Sequence, residues 1–507
     1  MKYRIILLLC LLSVLNVKAQ NDEVELDADG IMRVGVPVTI VTIGNSITAG
    51  YSNTSPYWAW PAQMGRMLGP EYQVKNYAVS GTTMNIHVNS SYRNTGNYPK
   101  AKAADPDILV IAHGTNDANV GWWKEWGHLF CDDYKSMVAS FREDGRDPIL
   151  YCTLAPPVFG HSRADQNKNI EQEVIPRVKQ VAAKVGARLI DFNTPFAGKN
   201  ECFPDNVHPS DPTAEKMAEI VKSVILPWQK LTSEVKVKKG TVVSPTMAVV
   251  EPGSSVTLKP SAPTKGSWIW RGPNGFTSTK KVLKLKKISS GGTYTVRFQD
   301  EAGNRSVLRY LVSVRGQKAG IITPHISVSG SGWQETTNLT VRPGQDVNFG
   351  PSCSAGNDEG TWSWRGPNGF FAYGREQTIS IMTAAKAGRY GVTFTDAQGR
   401  QTSAVFDIKV EGEPVCPKLV GYGHNEDGWR QTDSIAVKRG TPVTFAPHPT
   451  NGKWEWNGPN GFHSNERHNQ LFDFDEKMVG QYIGTYTNEA GCRDQLVITL
   501  TLKEESK

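Results

Sequence analysis

The sequence predicts an α/β domain built on a parallel sheet, followed by three smaller all-β sandwiches, and three observations carry that expectation. From about residue 36 to residue 230, short apolar runs alternate with stretches of helical periodicity. Beyond Pro227 the helical periodicity stops, and Gly, Pro, Ser and Thr crowd between short alternating runs. In that second region a nine-residue motif occurs three times. At 507 residues the chain is too long for one ordinary core, so several domains are expected on length alone.

The strand candidates of the first region are 36–43, 72–77, 108–112, 149–153 and 188–192. Each is short, apolar and bounded by turn residues, the pattern of strands buried on both faces. Helical patterns lie between them at 60–68, 132–142 and 170–185, where Pro176 implies either a kink or a late start. A last helix over 213–226 follows Ser210-Asp211-Pro212 and is stopped by Pro227. Five such strands with their helices predict a flavodoxin-like three-layer sandwich around a five-stranded parallel sheet.

The repeated motif reads Trp268-Ile269-Trp270-Arg271-Gly272-Pro273-Asn274-Gly275-Phe276. It returns as Trp362-Ser363-Trp364-Arg365-Gly366-Pro367-Asn368-Gly369-Phe370, and as Trp454-Glu455-Trp456-Asn457-Gly458-Pro459-Asn460-Gly461-Phe462. The second Trp recurs at intervals of 94 and 92 residues, the length of one sandwich module. A Gly-x-Tyr follows each copy, ending in Tyr294, Tyr390 and Tyr482. Length, early Trp and later Tyr resemble an immunoglobulin-like sandwich, without its paired cysteines. Residues i and i+2 of a strand share a face, so both tryptophans of each copy are expected in the core. Trp333 and Trp429, outside the motif, are the better candidates for glycan contact. The expected boundaries are 1–19 for a leader, 20–231 for the α/β domain, and 236–316, 322–411 and 415–504 for the three modules.

Lys2 and Arg4 precede an apolar run from residue 5 to 17, and Val17-Lys18-Ala19 offers a small-residue cleavage site. Residues 1–19 therefore read as a secretory signal, and a soluble exported protein, periplasmic or extracellular, is expected. No segment is long enough for a comfortable membrane span, and Cys10 lacks the small residues before it that lipid attachment needs. Without the leader the net charge falls from +7 to +4, slight for this length, and no basic block with interleaved aromatics points to nucleic acid. The six remaining cysteines form no metal-site spacing and no dense framework, so mostly free or locally paired structural cysteines are expected.

Four stretches of the first region carry chemistry when taken together. Thr42-Ile43-Gly44-Asn45-Ser46-Ile47-Thr48-Ala49-Gly50 ends the first strand in a sharp turn into a helix, with Ser46 at the junction. Asn76-Tyr77-Ala78-Val79-Ser80-Gly81 follows the second strand, and Gly114-Thr115-Asn116-Asp117 the third. Pro204-Asp205-Asn206-Val207-His208-Pro209 follows the fifth. In an open parallel sheet all four loops leave the carboxyl ends of strands, where such folds place their sites. Acyl transfer has a use for each. A serine hydroxyl needs a base, an imidazole suits that role, and the imidazole needs an acid to fix its tautomer. Asp205 and His208 can both come from one turn. The backbone N–H groups of Ser46 and Gly81 and the Asn116 amide would stabilise an oxyanion.

In this order, these stretches resemble the SGNH, or GDSL, hydrolase superfamily over about residues 36–230. The resemblance implies Ser46 as nucleophile, His208 as base, Asp205 as its orienting acid, and Ser46, Gly81 and Asn116 as oxyanion donors. Asn45 stands where the family often has Asp, and Ala78 where its second block often has Gly; neither change removes a catalytic atom. Among the other histidines, His113 is expected as a hydrogen-bonded wall residue, His87 near the pocket, and His161 solvated. Asp117 is expected to be structural. No cluster has metal-ligand spacing, and the mechanism requires no metal or other cofactor.

Members of this superfamily cleave acetyl-sugar esters, lysophospholipids and thioesters. Export and the absence of a long apolar surface stretch favour a carbohydrate acetylesterase, acting on an acetylated polysaccharide or a sialic-acid-type glycan. So does the loop Gly121-Trp122-Trp123-Lys124-Glu125-Trp126, whose Trp122, Trp123 and Trp126 suit either a sugar platform or a packed lid. The alternatives are a lysophospholipase or thioesterase, and a non-catalytic glycan-binding or adhesion protein whose modules act as binders or spacers.

Overall fold

The computed structural model describes residues 24–53, 55–357 and 360–503. The leader expected over 1–19 lies outside them. Strands β1 (Val38–Gly44), β2 (Tyr72–Asn76), β3 (Ile108–Ala112), β4 (Ile149–Leu154) and β5 (Arg188–Asp191) form one sheet in the order β2-β1-β3-β4-β5. Every pairing in it is parallel. This is the doubly wound arrangement in which chain direction across the sheet reverses between β1 and β3. The central strands β1, β3 and β4 are buried along their whole length. The edge strands β2 and β5 are only partly covered, which corrects the expectation that all five are enclosed.

Helices α1 (Ser46–Ala49), α2 (Trp60–Leu68), α3 (Asn97–Ala103), α4 (Val120–Trp126), α5 (Phe130–Ser140), α6 (Ala164–Asn169), α7 (Ile175–Val185) and α8 (Asp211–Ile225) connect and cover the strands. Alternation along the strands sorts the core into two layers. Val41, Ile43, Leu109, Ile111 and Leu150 pack with Met137 and Val138 of α5 and Val178 and Val181 of α7. Ile40, Ile108, Val110, Ile149 and Tyr151 pack on the other face with Met64 of α2 and Met217 and Val221 of α8. Pro176 lies inside one continuous helical run rather than at a late start: α6, a π-helical turn over Ile170–Val174 and α7 follow without a break in helical backbone angles, and the wider turn just before the proline is the local irregularity.

Beyond α8 the chain is β-rich, with antiparallel pairing dominant. Strands between 232 and 314 form a six-stranded and a three-stranded sheet; those between 434 and 502 include a five-stranded sheet, as does the region between. All six motif tryptophans are buried, as their shared face requires. The two recurring signals turn out to be one device. A Cβ on Gly272, Gly366 or Gly458 would lie 2.6 to 2.7 Å from the ring of Tyr294, Tyr390 or Tyr482 respectively, so each motif glycine admits the tyrosine of its own module. The next residue, Pro273, Pro367 or Pro459, packs in the same way on the glycine of Gly-x-Tyr. In the second and third modules the tyrosine hydroxyl also donates to a carbonyl four residues upstream, Tyr390 to Lys386 at 2.7 Å and Tyr482 to Met478 at 2.9 Å.

Cys416 and Cys492 form a disulfide across 76 residues, tying the segment that enters the third module to the turn before its last strand. This one long-range pair is the exception to the expectation of mostly free or locally paired thiols. Their spacing is uninformative because the strands between them create the proximity. Cys131, Cys152, Cys202 and Cys353 are free.

The first module is anchored on the amino-terminal end of the α/β sheet, opposite the loops that follow the strands. Asp107, just before β3, is buried and accepts from Thr39 N at 2.9 Å. Arg297 and Arg309 of the first module approach its two carboxylate oxygens at 3.5 and 3.7 Å. Arg309 also donates to Thr39 Oγ1 and the Pro37 carbonyl, and Val307 enters the α2–α8 core layer. The second module is held by the segment before β1: Val24, Met32 and Val34 pack with Val405, and Gln401 donates to the Val34 carbonyl at 2.7 Å.

Removing a buried carboxylate that two arginines share leaves uncompensated charge. Asp107→Ala should therefore destabilise the chain by about 3–5 kcal/mol in denaturant unfolding. Asp147→Ala, at the half-exposed partner of Arg305, should cost no more than about 1 kcal/mol.

Candidate active site

The turn from β1 into α1 depends on close approach. A Cβ on Gly44 would lie 2.6 Å from Thr48 Oγ1 and 2.8 Å from the Ala112 carbonyl, so β1 can pass this close to β3 and α1 only without a side chain. Asn45 caps the short helix, its Oδ1 accepting from Ile47 N at 3.1 Å. Asn76, at the end of β2, braces the turn by donating to the Thr48 carbonyl at 2.7 Å. Ser46 is thus fixed at the first helical position and is 9% exposed.

The loop before α8 supplies the groups facing that hydroxyl. His208 Nε2 lies 2.8 Å from Ser46 Oγ, and His208 Nδ1 lies 2.6 Å from Asp205 Oδ2. The second Asp205 oxygen accepts from the backbone N–H groups of Val207 at 3.0 Å and His208 at 2.7 Å. One carboxylate therefore sets both the fold of the loop and the orientation of the ring it carries. Burial acts to raise the Asp205 pKa, but the His208 ring and the two amides overcome it and hold the group at about 2. With the proton on Nδ1, the ring accepts at Nε2 from the serine hydroxyl. Tyr51 covers the ring at a centroid distance of 4.7 Å.

Gly81 and Asn116 come from the loops after β2 and β3 and are joined: Asn116 Nδ2 donates to the Thr82 carbonyl at 2.9 Å, which leaves its second hydrogen for another acceptor. Gly81 has a left-handed φ of 79°. Among the described residues, neither its N–H nor that of Ser46 has an acceptor. Asp117 is structural, as expected, though it bonds the neighbouring loop rather than its own. It is buried and accepts from Met84 N at 3.1 Å and Asn85 N at 2.9 Å, lashing the Gly81 loop to the Asn116 loop. Burial pushes its pKa up to about 6 against those two bonds.

The other histidines stand apart. Burial pushes His113 down to about 3, so it is neutral. Its ring nitrogens make no hydrogen bond of ordinary geometry, a correction to the expected hydrogen-bonded wall; Tyr92 packs on it instead, at 5.2 Å. His87 stacks on Trp126 at 5.0 Å. Trp123 packs on Phe130 at 5.6 Å and beneath Arg177 at 5.1 Å, so it belongs to the packed lid rather than a platform. Trp122 is 36% exposed but, with Trp123, lines a crevice of only about 10 Å³, too small for a sugar ring. None of Trp122, Trp123 and Trp126 lines the clefts beside Asp205.

Those clefts are the feature that sequence reasoning missed. One, of about 690 Å³, runs from Ser52, Asn53 and Asp205 to the third β module, where Tyr422, His424, Trp429 and Gln470 form its far wall. The second, of about 780 Å³, continues past Tyr57 and Trp58 to residues of the second and third modules, and Arg467 lines both. Tyr51, Tyr57 and Trp58, just after the nucleophile turn, are exposed. Their only sequence signal was a concentration of aromatics in the stretch 51–60.

Residues 42–215 match the family described as GDSL-like Lipase/Acylhydrolase, a family of carboxylic ester hydrolases. An acetylxylan esterase from Xylanibacter ruminicola is 32% identical over 208 residues, which cover 37% of this chain. The chain spans 43% of that relative's length. Among solved structures, a carbohydrate acetylesterase family member from Sinorhizobium meliloti is 17% identical over 37% of this chain and 96% of its own, with a TM-score of 0.31. A lipase/acylhydrolase from Enterococcus faecalis is 22% identical over 37% and 94%, also at a TM-score of 0.31.

Asp117→Ala should orphan two buried amides and lower stability by roughly 1–3 kcal/mol for each. Because the folded-state pKa of Asp117 is raised to about 6, the folded chain prefers the protonated form; its stabilising contribution is complete below the unfolded carboxylate range and is lost as pH rises through 6. The stability of Asp117→Asn relative to the parent should accordingly rise between pH 4 and pH 6, by about 3 kcal/mol at most, as read from denaturant midpoints at each pH.

Proposed function

We propose that this chain is an exported serine esterase that removes acetyl groups from carbohydrate. The observation that carries the reading is the continuous hydrogen-bonded line from Ser46 Oγ through His208 to Asp205, at 2.8 and 2.6 Å. Ser46 Oγ attacks the acetyl carbonyl carbon while its proton passes to His208 Nε2. The Asp205 carboxylate stabilises the imidazolium and keeps its other proton on Nδ1. The negative charge gathers on the former carbonyl oxygen, where the N–H groups of Ser46 and Gly81 and the free Asn116 hydrogen act as donors. Collapse expels the sugar oxygen, which takes the proton from Nε2 and leaves an acetylated Ser46. Water, deprotonated by the same nitrogen, then releases acetate and restores the serine.

Carbohydrate is favoured over a lipid or thioester because the cleft beside Asp205 is walled mainly by polar and aromatic side chains. Among glycans, an acetylated polysaccharide is favoured over a sialic-acid-type sugar by the likeness of residues 42–215 to an acetylxylan esterase. The apolar run ending at residue 17 and the Cys416–Cys492 disulfide both suit an exported chain. The tyrosine corners of the second and third modules support reading the β region as immunoglobulin-like.

Ser46→Ala and His208→Ala should each lower kcat/KM on 4-nitrophenyl acetate by roughly 10³-fold or more, with the circular dichroism spectrum unchanged. The enzyme should release acetate from acetylated xylan and should prefer acetyl to long-chain nitrophenyl esters; a long-chain preference would overturn the carbohydrate reading. Since Asp205 stays ionised down to about pH 2, protonation of this carboxylate should leave the rate profile unaffected above about pH 3.

A further inference from the structure

From the clefts beside Asp205 we infer that the third β module is a working wall of the active site, and that Trp429 is a stacking platform for the sugar residues flanking the acetylated one. The inference rests on the esterase reading for its substrate class, but on separate residues for its geometry. Asp205, which orients the catalytic ring, lines the same 690 Å³ cleft as Trp429, Tyr422, His424 and Gln470. Ser52 and Asn53, a few residues after the nucleophile, complete the near side. Ser46 and His208 do not line this cleft themselves; a glycan with its acetyl group at Ser46 reaches it by way of the loop around Asp205, toward the third module.

Trp429 is built as a platform. It lies on the hairpin of Tyr422–Asn425 and Gly428–Gln431, directly opposite His424. The His424 ring is 5.2 Å away and the His468 ring meets it edge-on at 5.9 Å, so the indole is braced from two sides. Even so it remains 53% exposed. A large apolar face held rigid and left open in a polar-walled cleft is suited to the C–H face of a pyranose, which loses little entropy on stacking. On the catalytic side, Tyr51, Tyr57 and Trp58 are 62%, 55% and 39% exposed, and the last two line the second cleft. Arg66 fixes the Tyr57 ring from 3.5 Å, so the catalytic side carries a matching aromatic rim. Polar partners for sugar hydroxyls line the same clefts: Asn53 and Gln470 the first, and Arg467 both. The occupant this chemistry fits is a polysaccharide chain, not an isolated acetylated sugar, because one sugar at Ser46 would leave the far wall unused.

The full-length chain and its Trp429→Ala variant should be compared on 4-nitrophenyl acetate and on acetylated xylo-oligosaccharides of increasing length. The small ester should be turned over within twofold of the parent. The kcat/KM on the longer oligosaccharides should fall about tenfold, mainly through KM, and Trp429→Phe should restore part of it. Trp333→Ala, equally exposed on the second module but lining neither cleft, should change neither activity. Equal loss on both substrates, or no loss on the oligosaccharides, would overturn the inference. Calorimetric titration of the same oligosaccharides into Ser46→Ala, with and without Trp429→Ala, reads the contact without turnover. If the parent cleaves no ester, the esterase reading fails, and that titration still decides whether Trp429 holds glycan.

Discussion

The Asp205 carboxylate is the constraint around which the catalytic edge is arranged. Its Oδ1 gathers the amides of Val207 and His208, closing the loop on itself, and its Oδ2 takes the imidazole hydrogen. The ring is therefore aimed by the same group that shapes the backbone beneath it, and Ser46 needs only to stand at a fixed point opposite. Gly44 and the Asn45 cap provide that fixed point. The buried Asp117 does a parallel task for the oxyanion side, holding the Gly81 and Asn116 loops in one frame. Two carboxylates in unlike surroundings thus take opposite directions: the one facing a ring proton and two amides is held low, and the one buried among backbone dipoles is pushed up.

The β modules frame the α/β unit unevenly, and that unevenness bears on function. The first module is locked to the amino-terminal end of the sheet through Asp107 and its arginines. The segment before β1 binds the second module, and Tyr373 of that module donates to the Pro70 carbonyl. The chain then returns its third module to the carboxyl end, where Tyr422, His424 and Trp429 line one cleft with the Asp205 loop. Ion-paired, apolar interfaces hold position at one end, and a gap lined by aromatic and polar side chains is kept open at the other.

Much of this was legible in the residue order. The five strands were marked because a parallel sheet under two helical layers demands short apolar runs, and all five observed strands lie within two residues of the expected bounds at both ends. The motif tryptophans were assigned to the core from a period of two. Less was legible wherever distant segments meet. The Cys416–Cys492 bond joins residues whose spacing matches no local pattern. Trp122, Trp123 and Trp126 look like a platform in sequence, yet a helix folds Trp123 onto Phe130 and Trp126 onto His87.

By itself the amino-acid order determined the α/β class and the threefold repeat, and it singled out Ser46, Gly81, Asn116, Asp205 and His208 as candidates, because backbone periodicity and side-chain chemistry are local properties. Only the tertiary structure decided which aromatic rings face the catalytic edge and which module shares its cleft. Those depend on how four folded units pack, and packing is settled by surfaces assembled from residues hundreds of positions apart. Trp429 and Asp205 are 224 residues apart in the chain and line one cavity; no pattern within either segment announces the other.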